Sequence, residues 1–365
     1  MTIQEVVQTL QNKWPLQQAE DFDNVGLLCG NPRREVSGIL ICHDALESVV
    51  EEAIQKKCNL IVAFHPILFS GLKTITGKDY VEKSVMKALE NKIAIYAIHT
   101  ALDNDWNGVN KEICQQMGLQ NIRVLMPKQN QLSYLTVFVP KENAETLEKA
   151  LFDAGAGEIG NYDLCNFSLL GQGSFRPLEG ANPTGGVVGK RERVEEMQLS
   201  FLFESYKKNT IISAMKKAHP YEEVAYQIVR LENENHFEGL GQYGDLPEKM
   251  SEKDFLNYVK NKFQLKVIRH SAFRNKEIER VGVLGGSGAS GIKAAIHKGC
   301  DAYLSGDFKY HDFFKAEDKI LLADIGHFES EQFVIQQLYE FLSEKFTKFA
   351  VRKTELNTNP VNYFL

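Results

Sequence analysis

From Ser37 to Asp44 the chain reads SGILICHD, an apolar run of strand length that closes on a histidine and an acid. ALESVVEEAIQKK follows, with apolar positions three and four apart, the spacing of a helix with one buried face. The pairing recurs as NLIVAFHP with YVEKSVMKALENK, and as IAIYAIHT with GVNKEICQQMG. The last third repeats it: IERVGVLGG opens into SGIKAAIHKG, CDAYLSGD follows, and KILLADIGH leads to the helix SEQFVIQQLYEFLSEKF. Strands that are apolar throughout, alternating with helices, predict an α/β protein whose sheets are covered by helices on both faces.

The middle has another texture. Near Pro127 the chain turns polar (MPKQNQ), and a strand, a helix, a glycine-rich turn and an alternating strand follow. Beyond LEGANPTGG come a further strand, helix and strand, ending near ENENHFEG. That βαββαβ rhythm predicts an inserted α+β domain over residues 127–236, between the two parts of an outer α/β domain at 1–126 and 237–365.

A length of 365 residues suits two or three domains, and a net charge of −6 leaves no footprint for sequence-independent nucleic-acid binding. The N-terminal stretch is polar and amphipathic, and no run reaches the length of a membrane span. Cys29, Cys42, Cys58, Cys114, Cys165 and Cys300 lie far apart without a CxxC pair, so free thiols and a cytoplasmic setting are expected.

Candidate chemistry collects just past the predicted strands. His65 ends NLIVAFHP, Asp103 follows IAIYAIH, and His327 follows KILLADIG with Glu331 one helical turn later. Open α/β sheets gather ligands at these carboxyl ends. Two histidines and two carboxylates suit zinc, manganese or iron better than magnesium or calcium, and bridging carboxylates would let the set hold two ions. Each residue also has a plainer reading: a packed histidine before proline, a helix-capping aspartate, a first-turn acid. The glycines of GGSGASG (Gly286, Gly288, Gly291) suit either a phosphate-cradling turn or a tight strand-to-helix connection, and Asp301 comes too soon for a ribose-binding acid. SGDFKYHD offers Asp307, Lys309, Tyr310 and His311 as pocket residues or as a solvated turn, and HPYEE, with His219 and Glu222, is expected to be structural.

LIVAFHPILFSG, AIHTALDN, GVLGGSG, LSGDFKYHD and DIGHFESE together resemble the GTP cyclohydrolase 1 type 2 homolog family of Nif-three-like dinuclear-metal proteins. The middle segment, through AHPYEEVAYQIVRL, resembles the CutA/PII-like insert of its longer members. The resemblance implies a divalent metal, zinc first with Mn2+ or Fe2+ as alternatives, up to two ions per chain, held by His65, Asp103, His327 and Glu331. It departs at Phe64, where the family commonly has a histidine, which leaves one ion short of a ligand. His99 is the nearest substitute in sequence, and His43 and Asp44 come next; for each the plainer reading is a residue that supports a ligand from behind or is structural. The implied activity is hydrolysis by metal-activated water, on GTP or another nucleotide-like substrate, with His99 or His311 shuttling protons. The competing class is a non-enzymatic metal-binding, metal-delivery or regulatory scaffold. The implied assembly is a homohexamer with trimers built through the insert.

Overall fold

The computed structural model describes residues 1–364. The chain separates into two compact units, Met1–Met126 with Phe237–Leu365, and Pro127–His236.

The first unit holds two sheets. One runs in the order Gly26–Cys29, Ala94–Ala97, Leu60–Ala63, Gly38–Cys42, Ala350–Lys353, parallel except for its first strand. The other runs Arg269–His270, Leu321–Asp324, Ala302–Gly306, Glu277–Ser287, Gly239–Ser251, Gln120–Pro127, with the strands beginning at Leu321, Ala302 and Glu277 mutually parallel. The central strands are buried on both faces, which explains their unbroken apolar runs. Alternation divides the residues: Leu60, Val62 and Phe64 join a core with Val283, Leu304 and Ala323 of the second sheet, while Ile61 and Ala63 pack with Val50 and Val85 of two helices on the opposite face. The two sheets therefore share one hydrophobic core, and their parallel strands send the following residues into the same region.

The helix Tyr80–Glu90 starts where Asp79 accepts the Glu82 amide at 2.9 Å, and Ser251 plays the same part for Glu252–Lys262, accepting the Asp254 amide at 3.2 Å. The C-terminal helix does not begin at Ser330 as its apolar periodicity suggests. A short helix, His327–Glu331, comes first, and the longer Val334–Lys345 follows after a break. That early start puts His327 and Glu331 on one helical turn.

The second unit has the βαββαβ order. Its strands Phe167–Phe175, Glu192–Glu204, Leu132–Pro140 and Tyr226–Leu231 lie in that spatial order, all antiparallel. The helices Ala144–Asp153 and Lys208–Ala218 cover one face through Leu147, Leu151, Ile211 and Met215, against Val137, Leu199 and Phe201. In HPYEE the His219 ring is wholly occupied: Nδ1 accepts the Tyr221 amide at 3.1 Å and Nε2 donates to the Phe138 carbonyl at 2.9 Å. Its role is structural. Among the described residues no helix is long and apolar enough to cross a membrane, and the six cysteines are free.

Candidate metal centre

Three neighbouring strands of the first sheet run past their ends in register. The Phe64 amide donates to the Cys42 carbonyl (3.0 Å), His65 to His43 (2.9 Å), and His99 to Phe64 (3.0 Å). This extension carries His43, His65 and His99 out together at the carboxyl edge. His99 then turns sharply at φ +35°, a conformation that non-glycine residues adopt only when their surroundings enforce it. The turn starts the short helix Thr100–Asp103, which buries Asp103. The second sheet contributes Asp307 beyond Ala302–Gly306, and His327 and Glu331 beyond Leu321–Asp324.

His65, His327 and Glu331 converge. His65 Nε2 and His327 Nε2 are 3.3 Å apart, and they lie 3.4 and 3.3 Å from Glu331 Oε2. Each imidazole is fixed from behind: His65 Nδ1 meets Asp44 Oδ1 at 2.9 Å, and His327 Nδ1 meets Asp307 Oδ2 at 2.7 Å. His99 is held likewise, with Nδ1 2.8 Å from Asp23 Oδ1. A ring nitrogen facing a carboxylate carries the hydrogen, so in the neutral ring the other nitrogen presents its lone pair. Carboxylate–histidine pairs of this kind orient metal-ligating imidazoles.

The triangle thus sets two lone pairs and a carboxylate oxygen edge to edge, which only a cation can reconcile. In the metal-free protein protons fill that need. Burial alone would lower both imidazoles, but Asp44 and Glu331 raise His65 to about 10, and Glu331 and Asp307 raise His327 to about 9. Burial likewise works against the Glu331 carboxylate, yet the surrounding imidazoles hold it well below its ordinary range.

A metal ion meets the same need, and the residues fit one. Four ligands placed tetrahedrally at zinc's usual bond lengths lie about 3.3–3.4 Å from one another. The triangle's three sides are 3.3, 3.4 and 3.3 Å. Buried polar atoms left without a hydrogen bond point the same way: Asp103 Oδ1, Glu331 Oε2 and His43 Nε2. Burial and the nearby Glu331 charge push the Asp103 carboxyl well above its usual range, and the His65 and His327 charges offset this only in part.

Backbone room is provided by Gly286. It stands at φ +68°, and a Cβ there would fall 2.3 Å from Glu331 Oε1. The adjacent Ser330 fastens the helix, accepting the Gly286 amide at 2.8 Å and donating to the His327 carbonyl at 2.7 Å. The helix after GGSGASG, Ile292–His297, is only six residues long. The glycine at 286 gives Glu331 room to pass, a role that neither of its two sequence readings named.

The structure brings His65, His327 and Glu331 together, and Asp103 is buried within reach of the Glu331, His65 and His327 charges. His99 joins them through its ring, 5.1 Å from that of His65. His311 does not. It is exposed on the 3-10 turn Tyr310–Ala316, and its ring contacts are Tyr310 and Phe314. Asp44 was expected behind a ligand or as a structural residue and Asp307 as a pocket residue, whereas Asp23 was not anticipated, nor was Thr358, which donates to Asp44 Oδ2 at 2.7 Å. No local pattern marks Asp23 or Thr358, since each acts on a side chain far away in sequence.

Two sheets directing the carboxyl ends of their parallel strands at a histidine–carboxylate cluster define an α/β protein with a candidate metal-binding centre. The family model for DUF34/NIF3 (NGG1p interacting factor 3) matches residues 1–360, and the chain belongs to this family. It is 37% identical over 370 residues to the GTP cyclohydrolase 1 type 2 homolog of Bacillus subtilis (strain 168), covering 99% of this chain and 98% of that one. The homolog of the same description from Halalkalibacterium halodurans is 36% identical over 365 residues, covering 99% and 98%. Among solved structures, a Bacillus cereus protein related to NIF3 is similar at 36% identity and a TM-score of 0.88, with 100% of this chain and 99% of that one covered. A Staphylococcus aureus protein is similar at 28% identity and a TM-score of 0.78, covering 100% and 99%.

Proposed function

We propose that the protein is a metal-dependent hydrolase that holds zinc through His65, His327, Glu331 and Asp103, with up to two ions per chain. The observation that carries the reading is the His65–His327–Glu331 triangle, whose sides of 3.3, 3.4 and 3.3 Å suit a tetrahedral ion better than an octahedral one, whose neighbouring ligands would lie closer, at about 3 Å.

When bound, a divalent cation supplies a water of lowered pKa and polarises the group under attack. The chain's own residues do the rest. Asp44 and Asp307 keep His65 and His327 in the tautomer that presents Nε2. Asp103 and Glu331 balance positive charge in a buried setting. His99, with Nδ1 fixed by Asp23, is set to accept a proton at Nε2 beside the His65 ring.

The substrate we propose is nucleotide-like, GTP first, on the strength of the name carried by the relatives. We further propose that the βαββαβ unit is CutA/PII-like and builds trimers that pair into a hexamer. Metal per chain, measured for the parent protein, Asp103→Ala and Glu331→Ala, tests the site: loss in both variants is expected, and unchanged content in both would overturn it. Formate release from GTP by the zinc-loaded parent, abolished in His327→Ala, tests the chemistry. If no formate appears while metal binds, a metal-binding or delivery role replaces hydrolysis.

A further inference from the structure

We infer that Phe22 and Phe69 form an aromatic platform beside the histidine–carboxylate cluster, and that it grips the planar heteroaromatic base of a nucleotide-like substrate. The inference rests on the hydrolase reading above and names the residues that would hold the substrate's ring.

Five rings stand in an unbroken row from the surface to the triangle. The centroids of Phe22 and Phe69 are 6.4 Å apart, those of Phe69 and His99 6.5 Å, those of His99 and His65 5.1 Å, and those of His65 and His327 5.2 Å. Each step lies in the range over which aromatic rings attract one another. The outer end of the row is open to water: Phe22 is 65% and Phe69 52% exposed, whereas the His99 side chain keeps 17%. Chemistry is confined to the three imidazoles at the inner end. A substrate reacting at His65, His327 and Glu331 therefore meets the two phenylalanines as the next surface beyond His99.

Two segments far apart in sequence carry the outer rings, and both are tied down. Phe22 adjoins Asp23, whose buried carboxylate meets His99 Nδ1 at 2.8 Å through Oδ1 and accepts the Thr100 amide at 3.1 Å through Oδ2. Asn24 donates from Nδ2 to the Leu68 carbonyl, and Phe69 follows Leu68 directly. The same short stretch thus fixes Phe22 against His99 and holds the Phe69 segment beside it. Apolar surface placed this way is preorganised for a ligand, and covering it takes that surface out of water. The two planes are inclined at 45°, so the rings do not close each other's faces by stacking. Neither ring carries a hydrogen-bonding group, and the platform reads the face of its ligand and not its edge. A flat π system covers such a face more fully than an alkyl chain does and gains stacking attraction, and every nucleobase offers one.

The test is calorimetric titration of the zinc-loaded full chain with GTP, with ATP, and with tripolyphosphate, which has the phosphate chain and no base. Phe69→Leu is expected to weaken GTP and ATP alike by about 10-fold, Phe22→Leu to weaken both in the same direction, and Phe69→Tyr to keep the parental affinity. Tripolyphosphate binding and zinc content are expected to stay at the parental level in all three variants. Both side chains are more than half exposed, so the folds should survive, and melting temperatures check this. Leucine variants that lose nothing, that lose tripolyphosphate as strongly as GTP, or that are matched in their loss by Phe69→Tyr would overturn the inference. So would a zinc-loaded parent that binds GTP no more tightly than tripolyphosphate, a result that leaves the metal site standing. A parent that takes up no zinc would sink both.

Discussion

His65 and His327, 262 positions apart in sequence, bring their Nε2 atoms to 3.3 Å across the edges of two different sheets. Each is fixed by an aspartate behind it, so neither ring can turn away without breaking a short hydrogen bond. The pair is preorganised for a cation, whether proton or metal, and the identity of the cation depends on pH.

In the metal-free protein, His65 is raised to about 10 and His327 to about 9, both above the ordinary histidine value near 6.5. A folded pKa above the unfolded one contributes stability that is complete below about pH 6.5 and is lost as pH rises through 9 to 10. Zinc needs the neutral rings, so its binding expels protons and removes that dependence. The chelated protein should lose melting temperature between pH 7 and 9.5, and the zinc-loaded protein should lose less. Thermal denaturation of both forms across that range checks it; parallel curves would mean that these rings do not carry the linkage.

Asp307→Asn should weaken zinc binding by about 10–100-fold while leaving the fold intact. Asp307 sits at φ +56°, a conformation asparagine tolerates, and its side chain is largely exposed, so backbone and core are spared. What changes is the His327 Nδ1 partner, from a charged acceptor to a neutral one. Competition against a chromophoric chelator measures the affinity, and an unaltered constant would show that His327 is held by its helix alone.

Asp103→Asn should stabilise the metal-free protein at neutral pH and weaken metal binding. The buried Asp103 carboxyl is pushed up first by burial and then by Glu331, so its charged form is a cost of folding. The penalty is absent at low pH, where the group is protonated, and grows as pH rises. Urea denaturation of both proteins at pH 7.5 with chelator present checks the sign. A less stable variant would mean that the charge is already compensated.

The strand ends were legible because polar residues that interrupt apolar runs stand out: His65, Asp103 and His327 each follow such a run directly. Glu331 was legible through its four-residue spacing from His327, although the helix that sets this spacing starts earlier than its apolar pattern suggests. The orienting contacts were legible only where they adjoin a strand end, as at Asp44. Asp23 reaches His99 across 76 positions, and Thr358 reaches Asp44 across 314, contacts made by tertiary packing alone. His311 is a separate case. It lies close in sequence to Asp307, but the direction of the intervening turn is decided by Asp324, which accepts the Phe308 amide at 2.9 Å, and by Asp312, which accepts the Lys309 amide at 2.9 Å.

Gly286 and Gly299 allow the role of the glycine-rich turn to be separated from mere backbone freedom. Both are left-handed, at φ +68° and +71°. A Cβ at 299 meets nothing within 4 Å, whereas one at 286 lies 2.3 Å from Glu331 Oε1 and 3.3 Å from His327 Nε2. Alanine should therefore cost about 1–2 kcal/mol of stability at either position, the ordinary penalty of a left-handed non-glycine residue. Only Gly286→Ala should also displace Glu331 and lose zinc. Urea denaturation and metal content, measured on both variants, decide it. Equal zinc in the two would mean that Glu331 can move aside and still bind, and that the glycine serves the turn and not the site.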